Sequence, residues 1–122
     1  MRRTKPKGAY IGKEWQFQIT AVELIYQLFN NCLLIHVENE GKKSEQSGAI
    51  AKKMGKREGV SDILIFNSNS HFKGLAIELK IWPRKPTPAQ VDFMKDLEGC
   101  GWLCEVAYGL DEVQKIVKEY RK

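Results

Sequence analysis

An α/β fold, with a small mixed β-sheet flanked by helices, follows from three observations on this chain. Short apolar runs of strand length recur near residues 32–37, 62–66, 74–80 and 102–107. Segments with helical spacing alternate with them rather than gathering at one end, the pattern of layered α/β domains. The 122 residues, 43% apolar and 29% charged, are enough for one domain with a true core and too few for two.

Residues 1–13 hold Arg2, Arg3, Lys5, Lys7 and Lys13 and no acid, and read as a basic flexible arm ahead of a single domain over 14–122. Thr20-Ala21-Val22-Glu23 has capping-box spacing and predicts a helix through Leu24, Ile25, Leu28 and Phe29 to Asn30-Asn31. The preceding Trp15-Gln16-Phe17-Gln18-Ile19 alternates like a strand, which leaves the helix start open. Cys32 to Val37 is expected as a buried strand, and Glu38 to Ser44 as a polar loop. A short helix over Ser47–Met54 is expected to stop at Gly55.

Two strands come next. The first opens at Asp62 and the second runs from Gly74 to Lys80, joined by a turn over Asn67–Lys73 rich in residues that tolerate left-handed backbone. Thr87-Pro88-Ala89-Gln90 supplies an N-cap, a proline at the first helical position and glutamine at the third. That helix is expected to turn Phe93, Met94 and Leu97 inward and to end at Gly99 or Gly101. A last strand over Trp102–Ala107 and an amphipathic helix over Asp111–Arg121 complete the chain.

Charge sits where these two central strands should be apolar. Side chains alternate along a strand, so Glu78 and Lys80 share a face and leave Leu75, Ile77 and Leu79 for the core. Asp62 opens the neighbouring strand, and facing side chains on adjacent strands lie about 5 Å apart. Two carboxylates at that separation suit a hard cation such as Mg²⁺ or Mn²⁺, which keeps several waters. Such a cation polarises a phosphate oxygen and makes hydroxide available near neutral pH, with Lys80 placed to hold the water or offset charge on phosphorus. An ordinary Glu78–Lys80 ion pair on a solvent-facing strand is the alternative reading. Glu23, the only Asp, Glu, Lys or Arg between Glu14 and Glu38, either caps its helix or looks toward the metal from an adjoining helix. Gln90 likewise caps its helix or reaches the site.

The net charge of +5 is unevenly spread. Basic clusters at Lys52, Lys53, Lys56 and Arg57, at Arg84 and Lys85, and in the loop at Lys42 and Lys43 suit a polyanion such as nucleic acid. No apolar run is long enough to span a bilayer, so no membrane partner is expected. Cys32, Cys100 and Cys104, with only His36 and His71 elsewhere, fall short of a zinc signature and read as buried free thiols of a reducing compartment.

Gly59-Val60-Ser61-Asp62, then Glu78-Leu79-Lys80, then Gln90, resembles the VRR-NUC family of the PD-(D/E)XK nuclease superfamily. The likeness extends to Ile50–Gly55 before the Asp motif and to Leu97–Trp102 before the last strand, covering roughly residues 20–120. Ser61 stands where that family usually has proline. The loop at Asn39–Lys43 also departs from the family pattern. The resemblance implies a restriction-endonuclease-like core and metal-dependent hydrolysis of phosphodiester bonds in DNA, with branched, flapped or junction DNA as preferred substrate. It implies Asp62 and Glu78 as metal ligands, Glu23 as a helix-borne acid, Lys80 as the catalytic lysine and Gln90 as a supporting residue. It further implies a cytoplasmic protein of bacterial or phage origin, with room for a homodimer. A non-catalytic nucleic-acid-binding module on the same fold, or a small interaction protein, is the competing expectation.

Overall fold

The computed structural model describes residues 4–38 and 45–122; Arg2, Arg3, Lys42, Lys43 and the rest of 1–3 and 39–44 lie outside them. Eight elements appear in the expected order: α1 (Glu14–Leu28), β1 (Leu34–Ile35), α2 (Glu45–Lys53), β2 (Ile63–Ile65), β3 (Leu75–Leu79), α3 (Pro88–Gly99), β4 (Leu103–Ala107) and α4 (Leu110–Tyr120).

The first helix differs from expectation. It opens at Glu14, six residues before Thr20, with the Lys13 backbone N–H donating to Gln16 Oε1 at 3.1 Å. Trp15 to Ile19 is therefore helix and not strand. Phe17, Ala21 and Ile25, four residues apart, form the buried face, and Trp15 and Ile19 fall on the opposite one. Thr20 caps nothing: its hydroxyl donates back to the Gln16 carbonyl at 2.9 Å, inside the helix.

The four strands form one mixed sheet in the order β1-β2-β3-β4, antiparallel except for β3 and β4. Helices α1 and α4 pack together on one face, where Phe17, Ala21, Ile25, Val113, Val117 and Tyr120 meet Ile63, Ile65, Leu75, Ile77 and Leu79. Helix α3 lies against the other face, and Cys104 donates its S–H to the Met94 carbonyl there. Central strand β3 is thus buried throughout, Ala76 and Glu78 included, and so is Lys80 just after it. Phe93, Met94 and Leu97 of α3 are only half-buried, because one helix covers a single corner of the sheet.

The start of α3 follows its sequence closely. Gln90 N–H donates to Thr87 Oγ1 (3.2 Å) and Thr87 N–H to Gln90 Oε1 (2.8 Å), a reciprocal capping box with Pro88 at the first turn. The β2–β3 connection is held by Asn69, whose Oδ1 accepts from His71 and Phe72 N–H and whose Nδ2 donates to the Tyr120 carbonyl. Within the basic N-terminal segment, Tyr10 is docked: its N–H donates to the Tyr108 carbonyl at 2.7 Å and its ring stacks on Phe17 at 4.7 Å.

Candidate active site

Sheet register assembles the site. Ile63 stands opposite Ile77, so one step further along the two antiparallel strands Asp62 stands opposite Glu78. Asp62 lies just before β2 and is fixed by a hydrogen bond from Leu79 N–H to its Oδ2 at 2.8 Å. Gln90 Nε2 donates to Glu78 Oε1 at 3.0 Å, tying the site to the capped start of α3. Gln90 therefore does both things its sequence context allowed.

Glu78 is 1% exposed, and its second carboxylate oxygen, Oε2, is buried without a hydrogen-bond partner. Its pKa is pushed up to about 9. Burial is the largest cause, followed by the charge of Asp62, and Lys80 pulls the other way. Two carboxylates facing each other in a poorly solvated corner repel one another, and a divalent cation would relieve that repulsion. The donor set fits one: two hard oxygen ligands, an orphaned buried lone pair and a lysine on the same face.

Gly59 explains how β2 and α3 come so close. Its φ is +79°, and a Cβ there would lie 2.4 Å from the Ala89 carbonyl carbon and oxygen and 2.6 Å from Gln90 N. Only glycine lets the chain leading to Asp62 pass against the backbone that carries Gln90. Ser61, between them, is 1% exposed, and its hydroxyl has no partner.

Glu23 does not join this cluster. It is exposed on α1, and α1 packs on the sheet face opposite Asp62 and Glu78. Among the described residues no three His, Cys, Asp or Glu side chains gather into a metal-binding group. The helical face is the reason: Glu23 lies on the side of α1 away from the buried Phe17, Ala21 and Ile25.

The basic residues divide. Lys52 and Lys53 are exposed in the last turn of α2, and Lys56 and Lys85 are exposed as well. Arg57 is already engaged, 2.7 Å from Asp96 and stacked over the Phe93 ring, so it pins the β2 approach to α3. Arg84 lies 3.5 Å from Glu14 and accepts the Tyr108 hydroxyl on its carbonyl. Lys42 and Lys43 are outside the described residues.

His36 belongs beside the site and was left out of it by the sequence reading. Its Nδ1 lies 2.6 Å from the Asp62 carbonyl oxygen, which can only accept, so Nδ1 carries the proton and donates it. A histidine ending the apolar run that pairs with the Asp62 strand was the available signal. The cysteines also depart from expectation: all three are free, but Cys100 is exposed. No helix among the described residues is long and apolar enough to cross a membrane.

No family model and no curated protein matches the sequence. Solved structures do. One titled "VRR_NUC domain protein" superposes with a TM-score of 0.73 at 25% identity, covering 91% of this chain and 90% of that one. Another, titled "VRR_NUC domain", gives a TM-score of 0.59 at 21% identity over 90% of this chain and 99% of the other. Four helices on a four-stranded mixed sheet, with the carboxylate pair at its centre, make this a small α/β fold of the nuclease type. More narrowly, the chain has the fold of a VRR-NUC domain.

Proposed function

We propose that the chain is a divalent-metal-dependent deoxyribonuclease that hydrolyses phosphodiester bonds and selects branched, flapped or junction DNA. The observation that carries this reading is the buried, unpartnered Oε2 of Glu78, on a carboxyl group that stands opposite Asp62 with Lys80 on the same face. Asp62 and Glu78 would hold Mg²⁺ or Mn²⁺. When bound, the cation supplies Lewis-acid polarisation and a water acidic enough to act near neutral pH.

The chain's own residues account for the rest. Leu79 N–H and Gln90 Nε2 hold the two carboxylates in register. Lys80, on the same face as Glu78, is placed to orient the attacking water or to balance charge building on the phosphate. Exposed Lys52, Lys53, Lys56 and Lys85 suit backbone phosphates. Glu23 is not part of this reading. The titles of the matching structures name a nuclease-type domain and support the assignment of reaction class. Three thiols free of disulfides suit the bacterial or phage-infected cytoplasm as its place of action.

The test is cleavage of labelled linear, flapped, bubbled and four-way DNA with Mg²⁺ or Mn²⁺, run beside Glu78→Gln and Lys80→Ala. Metal-dependent cutting that Glu78→Gln abolishes and Lys80→Ala slows by orders of magnitude is the expected result. Absence of cutting, with metal-independent DNA binding retained, would reassign the chain as a nucleic-acid-binding module.

A further inference from the structure

The sheet face that carries Asp62 and Glu78 also carries an open apolar strip. Side chains alternate along a strand, so Asp62, Leu64 and Phe66 point to one face of β2, while Ile63 and Ile65 enter the core under α1 and α4. Register extends the row sideways. Ile35 of β1 pairs with Leu64, and one step on Phe66 N–H donates to the Leu33 carbonyl at 2.9 Å. Leu33 is 60% exposed, Ile35 42% and Phe66 42%, with Leu64 half-buried between them. Helix α3 packs on β4, across the sheet, and leaves these side chains in water.

The strip ends in a pair of aromatic rings. Phe66 and Trp102 meet at 88° with centroids 5.1 Å apart, and Trp102 is partly exposed. A Cβ at Gly74 would lie 2.6 Å from three atoms of the Trp102 indole, so glycine is what lets that ring lie against the sheet. Together the strip leaves on the order of 300 Å² of apolar surface in water, the size at which a patch on a monomer is often functional.

Position and charge say what it takes. Phe66 lies four residues along β2 from Asp62, about 13 Å at strand rise, which is the length of about four nucleotides at the stacked spacing of about 3.4 Å. The strip holds no acid. Exposed Lys73 runs beside it: its Cδ would be 3.2 Å from a Cβ on Gly101, the residue before Trp102. Rings for bases and a lysine for phosphate, continuous with a carboxylate pair, suit a nucleic-acid strand. Bases inside a duplex are stacked on one another and offer no face to a protein ring. The bases that fit here are unpaired.

We propose that Phe66, with Trp102, Leu33 and Ile35 around it, is a stacking platform for unpaired bases of a DNA strand that leads to the Asp62–Glu78 pair. The platform rests on the nuclease reading for its ligand and gives that site its selection for DNA with a single-stranded segment.

The experiment is fluorescence anisotropy of labelled oligo-dT of about ten nucleotides and of a blunt hairpin duplex, in chelator at one fixed salt concentration. The full chain is compared with Phe66→Leu, which keeps apolar bulk and removes the ring, Phe66→Tyr, which keeps the ring, and Ile19→Ala, an exposed site on α1 across the sheet. Circular dichroism checks each fold. Wild type should prefer oligo-dT to the duplex. Phe66→Leu should lose about fivefold or more of its oligo-dT affinity with duplex binding unchanged, and Phe66→Tyr and Ile19→Ala should behave as wild type. Equal oligo-dT affinity for wild type and Phe66→Leu would overturn the proposal, as would a wild type that binds the duplex as tightly as oligo-dT. Cleavage with Mn²⁺ separates this from the nuclease reading. Cutting by Phe66→Leu with the wild-type preference for flapped over linear DNA would refute the platform and leave the nuclease standing. Selective oligo-dT binding that depends on the ring, without cutting by any of the proteins, would support the platform and refute the nuclease.

Discussion

Gln90 joins Glu78 to the start of α3: its Nε2 donates to Glu78 Oε1 at 3.0 Å while its Oε1 accepts from Thr87 N–H at 2.8 Å. One side chain thus caps a helix and orients a candidate metal ligand. Gln90→Ala should cost about 1 kcal/mol of stability, the usual worth of a cap, and should lower cleavage by more than that loss of folded protein explains. Urea midpoints and cleavage rates at saturating metal, measured together, separate the two effects.

Gly59 holds the same corner from the other side. Its left-handed backbone and the 2.4 Å approach of its virtual Cβ to Ala89 leave no room for a methyl group. Gly59→Ala is expected to destabilise by about 1–3 kcal/mol through backbone displacement and to reduce cleavage, because Asp62 and Gln90 shift apart. A denaturation midpoint equal to wild type would contradict this packing.

Glu78 makes the metal-free protein pH-sensitive. Its pKa lies near 9 in the fold against 4.5 for the free group, so the folded state holds a proton that the unfolded chain releases. Its stabilising contribution is complete below pH 4.5 and is lost as pH rises through 9. In chelator, the melting temperature should fall across that window, and Glu78→Gln should flatten the fall. Equal slopes for the two proteins would show that the carboxyl pair is not strained.

Ser61 and the cysteines give two tests of the packing around the site. The Ser61 hydroxyl is buried without a partner, so Ser61→Ala should be neutral or stabilising in thermal melts.

Of the thiols, Cys104 is pushed up to about 12 by burial and by Glu98 and Glu105, and burial raises Cys32 as well. Cys100 is exposed. A thiol reagent at pH 8 should therefore modify Cys100 in the native protein and reach the other two only after unfolding. Mass spectrometry of the digested adduct reads this directly.

Much of this architecture was legible in the sequence because its punctuation is strong. Thr87-Pro88-Ala89-Gln90 caps α3 as read, and the polar 67–73 turn set β2 against β3 so that Asp62 meets Glu78. The start of α1 was not legible, because two apolar faces on one helix produce the odd-numbered alternation of a strand. That error carried Glu23 to a helix opening it does not occupy. The state of Glu78 was also out of reach: it depends on β3 being covered on both faces, and α3 reaches that strand only in the folded chain. Arg57 and Arg84 read as basic surface until the fold brought Asp96 and Glu14 against them.

The central claim is that Asp62 and Glu78 together hold one divalent cation, and calorimetric titration of Mn²⁺ into the wild type, Asp62→Asn and Glu78→Gln tests it most directly. The account predicts one site per chain in the wild type, lost in both variants while their circular dichroism stays native. Mn²⁺ binding of equal strength in all three proteins, or none in the wild type, would contradict it.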